Sequence, residues 1–240
     1  MTKSAASLSF AWGLNGLRAL LPDVDVVVIV DVLSFSTAVD VAVSRGAVVL
    51  PYAYGREGAA RYAAEQAAIL AQPRSTLGKQ ISLSPKSLAE SSPGQRIVLP
   101  SPNGSMLSEQ TGGCPTFAGC LRNAKTVAET VSGQGGRTAV IAAGEKWPDG
   151  SLRPALEDLL GAGAILDGLC GGLTPEAETT LAAYRAMKDN CAEAIRACES
   201  GLELIQAGFA DDVTFALAEN ESRAVPCLIE GAYRNLAEHN

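Results

Sequence analysis

Val26-Val27-Val28-Ile29-Val30-Asp31 is an unbroken β-branched run that ends on a carboxylate. No polar residue alternates through it, so it suits a strand buried on both faces, as in a parallel sheet covered by helices on each side. From Ser34 to Arg45 the apolar residues switch to helical spacing at Phe35, Val39, Ala42 and Val43, and Gly46 follows where a helix C-terminal cap belongs. Strand, polar turn and helix therefore form the first unit of the fold, with Asp31 at its turn.

Outward from that unit the same grammar repeats. Ala47 to Leu50 reads as a second strand, and Gly58 to Ala71 as an Ala-rich helix stopped by Pro73. Residues 73–94, rich in Pro, Ser, Gly and Lys, read as a long loop. Arg96 to Pro100 is a further strand running into Ser101-Pro102-Asn103-Gly104-Ser105, where Asn-Gly signals a turn that can open a helix. A Gly-Ser-rich turn at 132–136 precedes a buried strand, Thr138 to Ala143, that ends at Gly144-Glu145-Lys146. After a Pro-Asp-Gly turn at 148–150 a helix is expected from Pro154, with Gly161 and Gly163 letting it approach a strand closely. Thr174-Pro175 caps a helical block that runs with one break to about Ala207, where Gly208 ends it. A last helix over Asp211 to Glu219 leads through Val225-Pro226 to a polar tail. No repeat or linker divides the chain. The expected architecture is a three-layer α/β/α fold with a mostly parallel or mixed sheet, one domain over residues 1–240 with room for two lobes.

Composition narrows the function. Across 240 residues, 19 Lys and Arg face 26 Asp and Glu, a net charge of −7. This balance argues against a nucleic-acid or anionic-membrane surface, because polyanions are held by clustered cations that release counterions. The single histidine is the penultimate residue, His239, so Ser-His-Asp and Cys-His machinery and multi-histidine metal sites are excluded. Six cysteines contain no Cys-x-x-Cys pair and read as buried thiols in a reducing compartment. No run has signal-peptide or membrane-span length, and the expected location is cytoplasmic.

In open α/β sheets ligands bind beyond the carboxyl ends of strands. Three expected strands end in polar loops: Asp31 with Ser34, Ser36 and Thr37; Ser101 with Asn103, Gly104 and Ser105; and Glu145 with Lys146. Glu157-Asp158 and Asp211-Asp212 open later helices. Such oxygen-rich sets suit Mg²⁺, which takes one or two carboxylates, keeps waters and bridges to phosphate oxygens. Each element also has an ordinary reading as a helix cap, a turn or a dipole partner. Nucleotide signatures are missing: Gly78-Lys79 lacks the first glycine and the hydroxyl of a phosphate-binding loop, and Gly161-x-Gly163 lacks a third glycine. Leu33 stands where an aspartyl-phosphate phosphatase would need a second Asp, which leaves that mechanism unsupported.

The ordered segments resemble the 2-phosphosulfolactate phosphatase family. They are Val27 to Val39, Ser101-Pro102-Asn103-Gly104-Ser105, Cys120-Leu121-Arg122-Asn123-Ala124, Ala142-Ala143-Gly144-Glu145, Leu156 to Ile165, and Gly208-Phe209-Ala210-Asp211-Asp212-Val213. The resemblance implies Mg²⁺-dependent hydrolysis of 2-phosphosulfolactate to sulfolactate and phosphate, a step toward coenzyme M. It favours Asp31, Asp158 and Asp212 as catalytic residues, and Asp31, Glu157 and Asp158 as metal ligands. Ser34, Ser36, Thr37, Asn103, Gly104, Ser105, Arg122 and Lys146 are the candidate substrate contacts. Ser34 stands where many members carry Arg, and the segment Leu77-Gly78-Lys79-Gln80 before Ser82-Leu83-Ser84-Pro85 also departs from the family pattern. Lys86 and Arg153 join Arg122 and Lys146 as cations available to an anionic substrate. The competing readings are a non-catalytic protein that binds an anionic metabolite and a structural subunit packing through its helices over 175–207. A homodimer is a further expectation.

Overall fold

The computed structural model describes residues 7–53, 57–74 and 80–236. Strand β1 (Leu8–Trp12) leads into helix α1 (Gly13–Leu20), β2 (Val26–Val30) into α2 (Phe35–Ser44), and β3 (Val48–Ala53) into α3 (Ala59–Glu65). Next come β4 (Ile69–Leu70), α4 (Pro85–Leu88), β5 (Arg96–Ser101) and α5 (Gly104–Ser108). β6 (Thr116–Gly119), α6 (Ala124–Gln134) and β7 (Thr138–Ala142) precede a small hairpin of β8 (Glu145–Lys146) and β9 (Leu152–Arg153). Helices α7 (Leu156–Gly168), α8 (Pro175–Met187), α9 (Cys191–Ala197), α10 (Glu199–Gln206) and α11 (Ala210–Ala216) follow, before the hairpin of β10 (Pro226–Ile229) and β11 (Ala232–Asn235).

One nine-stranded mixed sheet has the order β1-β7-β2-β6-β10-β11-β3-β5-β4. Strands β1, β7, β2 and β6 form one parallel block, and β3, β5 and β4 another. The β10–β11 hairpin lies between them and joins each block through one antiparallel residue pair, Cys227 to Phe117 and Tyr233 to Val49. Both blocks therefore belong to a single sheet.

Alternation along the strands shows why the sheet is covered on both faces. Val26, Val28 and Val30 pack with Val127 of α6, Leu160 and Ile165 of α7 and Leu181 of α8, while Val27 and Ile29 pack with Leu17 of α1 and Leu107 of α5. In the other block Val49, Ile97 and Leu99 meet Phe35, Val39 and Val43 of α2, whereas Val48, Leu50 and Val98 meet Ala63 of α3. Burying each such Val or Ile stabilises the fold by about 1.5–3 kcal/mol. The result is a three-layer α/β arrangement with a mixed sheet.

Several local expectations need correction. The helix expected over 58–71 ends at Glu65, because the chain turns through Ala67 at φ 48° and enters the edge strand β4 beside β5. The loop expected over 73–94 contains α4, and Leu77-Gly78-Lys79 lies outside the described residues, as does His239. Helix α7 starts at Leu156 rather than Pro154, since Arg153 is still paired in the β8–β9 ladder. Gly161 approaches a strand as expected: a Cβ there would lie 2.5 Å from Val32 and 3.1 Å from Val30. Gly163 instead faces α8, where a Cβ would meet Tyr184 at 2.4 Å. The helical block over 175–207 has breaks at 188–190 and Cys198. The polar tail is a sheet hairpin, turning at Glu230 and Gly231, both at positive φ. All six cysteines are free; Cys120, Cys191 and Cys227 are buried, but Cys170 is exposed and Cys114 and Cys198 are half-buried. Among the described residues no helix is long and apolar enough to cross a membrane.

Candidate active site

Asp31 leaves the end of β2 and turns back into the start of α2. Its Oδ1 accepts hydrogen bonds from the backbone N–H groups of Ser34 (2.9 Å) and Phe35 (3.0 Å), so it satisfies donors that the helix itself leaves free. Its Oδ2 accepts from the N–H of Gly104 at 2.9 Å, at the start of α5. Gly104 is required at this approach, since a Cβ would lie 2.1 Å from the Phe35 ring. One carboxylate thus fastens the loop after β2 to the loop after β5.

Asp158 makes the corresponding fastening to the loop after β7. Its Oδ1 accepts from the Val32 N–H at 2.7 Å and its Oδ2 from the Gly144 N–H at 2.8 Å. Close packing at Gly161, one turn further along α7, lets the helix bring Asp158 against the end of β2. Glu157 is also buried, and the Cys198 thiol lies 3.3 Å from its Oε2. Glu145 accepts from the side-chain amide of Asn103 at 3.0 Å.

These carboxyl groups are stacked against their own electrostatics. Burial raises the Asp31 pKa, the N–H groups of Phe35, Gly104 and Ser34 draw it back, and the Glu157 charge adds to the rise. Asp158 is pushed well above the ordinary carboxylate range by burial and then by the charges of Asp31 and Glu157. Glu145 is pushed up to about 7 by burial and the Asp31 charge, with the Asn103 hydrogen bond opposing. Such crowding marks a place where a positive charge is stabilised.

The hydroxyls sit differently. The Ser36 Oγ donates to the Ile29 carbonyl and accepts from the Asp31 N–H, Thr37 donates to the Val32 carbonyl, and Ser105 donates to the Leu99 carbonyl. All three are fully buried, and their protons serve the main chain of the site loops rather than an open surface. Arg122 lies with another group: it pairs with Asp40 at 3.0 Å and donates to the Phe215 carbonyl. Lys146 is exposed at a cavity of about 220 Å³ lined by Trp12, Asn15, Met106 and Leu152, which shares Asn103 and Glu145 with the carboxylate cluster.

Asp211 and Asp212 separate. Asp211 is exposed and pairs with Lys86, whereas Asp212 is buried, accepts from the Ser84 hydroxyl at 2.5 Å and meets Arg74 Nε at 2.9 Å. Arg74 also donates to the Ser34 hydroxyl and lies over the Phe209 ring. Sequence reading missed this arginine. It follows Gln72-Pro73 in an irregular segment, and neither periodicity nor a motif distinguishes it from a surface charge.

The donor set fits Mg²⁺ in chemistry, with hard carboxylate oxygens carrying excess buried negative charge. Among the described residues no three carboxylate, thiol or imidazole groups share one metal position. Asp31 and Asp158 also spend both of their oxygens on backbone N–H groups. The fit is therefore to an ion held through one or two carboxylates with retained water rather than to a closed cage of Asp31, Glu157 and Asp158.

Comparison with known proteins identifies the family. Over 147 residues, 60% of this chain and 61% of the relative, the sequence is 31% identical to a 2-phosphosulfolactate phosphatase of Methanothermobacter thermautotrophicus. The alignment thus spans less than two thirds of that relative's length. A family model described as 2-phosphosulpholactate phosphatase matches residues 17–231, which takes in the Asp31, Gly104, Glu145, Asp158 and Asp212 loops alike. The chain belongs to the 2-phosphosulpholactate phosphatase family.

Proposed function

We propose that the chain is a phosphoric monoester hydrolase acting on a small, multiply anionic phosphate ester, with 2-phosphosulfolactate, cleaved to sulfolactate and phosphate, as its substrate. The observation that carries this reading is the convergence of Asp31, Asp158 and Glu145 at three loop ends, within a family match that covers all three. In such a hydrolysis water attacks phosphorus and the leaving alkoxide must gain a proton. Glu145, held by Asn103 and titrating near neutrality, is suited to supply it. Asp31 and Asp158 hold the loops that bring Asn103 and Glu145 together, and are the residues that would carry the metal. Mg²⁺, when bound, would offset the substrate's negative charge and that of the cluster. A step toward coenzyme M, a cytoplasmic location and a homodimer belong to the same proposal.

The test is phosphate release from a panel of monoesters that includes 2-phosphosulfolactate and 2-phospholactate, with Mg²⁺ or with EDTA. Hydrolysis with Mg²⁺ and its loss in EDTA are expected. Full activity in EDTA would remove the metal from the proposal. Saturable binding without turnover would replace the enzyme with a metabolite-binding protein.

A further inference from the structure

A phosphate ester that also carries a carboxylate and a sulfonate needs positive charge, and most cations near the cluster are already occupied. Arg122 serves Asp40, Arg153 pairs with Glu199 and Glu203, and Lys86 pairs with Asp211. Lys146 is exposed at the cavity on the Glu145 side. Arg74 shares the burial, ring support and carboxylate partner of Arg122 and Arg153, and differs in reaching the turn that carries Asp31. Its side chain is 16% exposed, its plane is supported by Phe209, and its Nη2 donates to the Ser34 hydroxyl. Although Nε lies 2.9 Å from Asp212 Oδ2, the approach is off axis, so neither atom has an aligned hydrogen bond. The pair fixes charge, Nη2 also reaches the Leu83 carbonyl at 3.5 Å, and among the described residues Nη1 makes no hydrogen bond.

We propose that Arg74, together with the Ser34 hydroxyl, clamps one of the two non-reacting acidic groups of the substrate, the carboxylate on the carbon bearing the phosphate ester or the sulfonate on the adjoining carbon. The proposal rests on the phosphatase reading above. Arg74 interacts most strongly with Asp212, then with Asp31 and Glu145, so it flanks the carboxylate cluster rather than occupying its centre. The phosphoryl group belongs with the cluster and its cation, and the clamped acid belongs at the flank. Ser34 lies three residues after Asp31, bonded to it through its backbone N–H, so the flank and the cluster share one turn of chain. A planar fork matches a multi-oxygen anion better than a point charge does, and Asp212, itself anchored by Ser84, orients the fork from behind.

The experiment compares Arg74→Ala and Arg74→Lys on 2-phosphosulfolactate and on isopropyl phosphate, which lacks a second acidic group. Arg74→Ala is expected to raise KM for 2-phosphosulfolactate about 100-fold while changing kcat/KM for isopropyl phosphate less than about threefold. Arg74→Lys should retain about a tenfold KM penalty, since charge remains but the fork is lost. Equal losses on both esters, or no change in KM, would overturn the clamp. Arg74→Ala leaves Asp212 buried without its partner, so Arg74→Ala/Asp212→Asn is measured in parallel, with sulfolactate binding by calorimetry on each folded protein. Wild-type protein that binds sulfolactate through Arg74 but hydrolyses neither ester would overturn the phosphatase reading and support the clamp. Hydrolysis and sulfolactate binding that both survive without Arg74 would do the reverse.

Discussion

The backbone N–H of Val32 donates to Oδ1 of Asp158 at 2.7 Å, across 126 positions of sequence. The second oxygen of the same carboxylate accepts from Gly144. Asp158→Ala would leave two buried N–H groups without acceptors, at a cost of about 1–3 kcal/mol each. Asp158→Asn keeps one acceptor and removes a repelled charge, so it should be the more stable variant. Phosphate release should nevertheless fall about 100-fold in both, if the carboxylate supports the metal. Urea unfolding together with an activity assay checks the ordering, and a more stable alanine variant would contradict it.

Gly104→Ala tests how close the two loops must come. A Cβ at this position meets the Phe35 ring at 2.1 Å, a distance that forces either the ring or α5 to move. A destabilisation of about 1–3 kcal/mol is expected from such overpacking. Activity should drop more than about tenfold, because the same shift lengthens the hydrogen bond to Asp31 and displaces Asn103. A variant with wild-type melting temperature and kcat would show that the loop absorbs a methyl group freely.

Stability should depend on pH through Glu145, which has an ordinary pKa of 4.5 and stands at about 7 in the fold. A carboxyl raised in this way favours the folded chain while it is protonated. That contribution is complete below 4.5 and is lost as pH rises through about 7. Glu145→Gln removes the penalty of ionisation, so it should stabilise the protein at pH 8 by up to about 3 kcal/mol and have little effect at pH 4. Burial and neighbouring charges raise Asp31 and Asp158 in the same direction, so the wild type should also gain from mild acidification. Unfolding midpoints of both proteins across this range decide the matter; parallel profiles would exclude Glu145 as the source.

Metal binding should be visible without turnover. Added Mg²⁺ should raise the melting temperature at pH 8, where the carboxyls are most ionised, and an excess near 100 Kd corresponds to about 2.7 kcal/mol. Asp31→Asn should abolish most of that shift, measured from the variant's own melting temperature without Mg²⁺, since its single acceptor oxygen cannot serve all three N–H groups. An identical Mg²⁺ response in wild type and Asp31→Asn would place the ion elsewhere.

The central strand and its helix were legible because β2 is an unbroken β-branched run and α2 shows helical spacing, and both are buried on all sides. Edge elements were not. β4 has two residues and shares its segment with alanines that suit a helix, so pairing with β5 decides its state. The hairpin of β10 and β11 could have been found from the Glu230-Gly231 turn between two short apolar stretches. Within the candidate site, the carboxylates announced themselves by their place at strand ends. The partners of Ser36, Thr37 and Ser105 did not, because a hydroxyl that tethers its own loop has the same sequence appearance as one that faces a ligand. Arg74 was invisible for a different reason: its importance comes from where Asp212 and Ser34 meet in space, and those residues lie far from it along the chain.

Asp31 follows a strand of one parallel block, and Gly104 follows a strand of the other, yet a single carboxylate receives N–H groups from both loops. The ladder between those blocks narrows to one residue pair on each side of the C-terminal hairpin. Neither block completes its layers alone, since α2 after β2 packs on β3 and β5 while Leu107 of α5 packs on Val27 and Ile29, and neither completes the set of N–H donors around Asp31 alone. The acidic centre consequently exists only where the two blocks are docked. Opening along that narrow seam would part the Gly104 N–H from Asp31 and dismantle the centre.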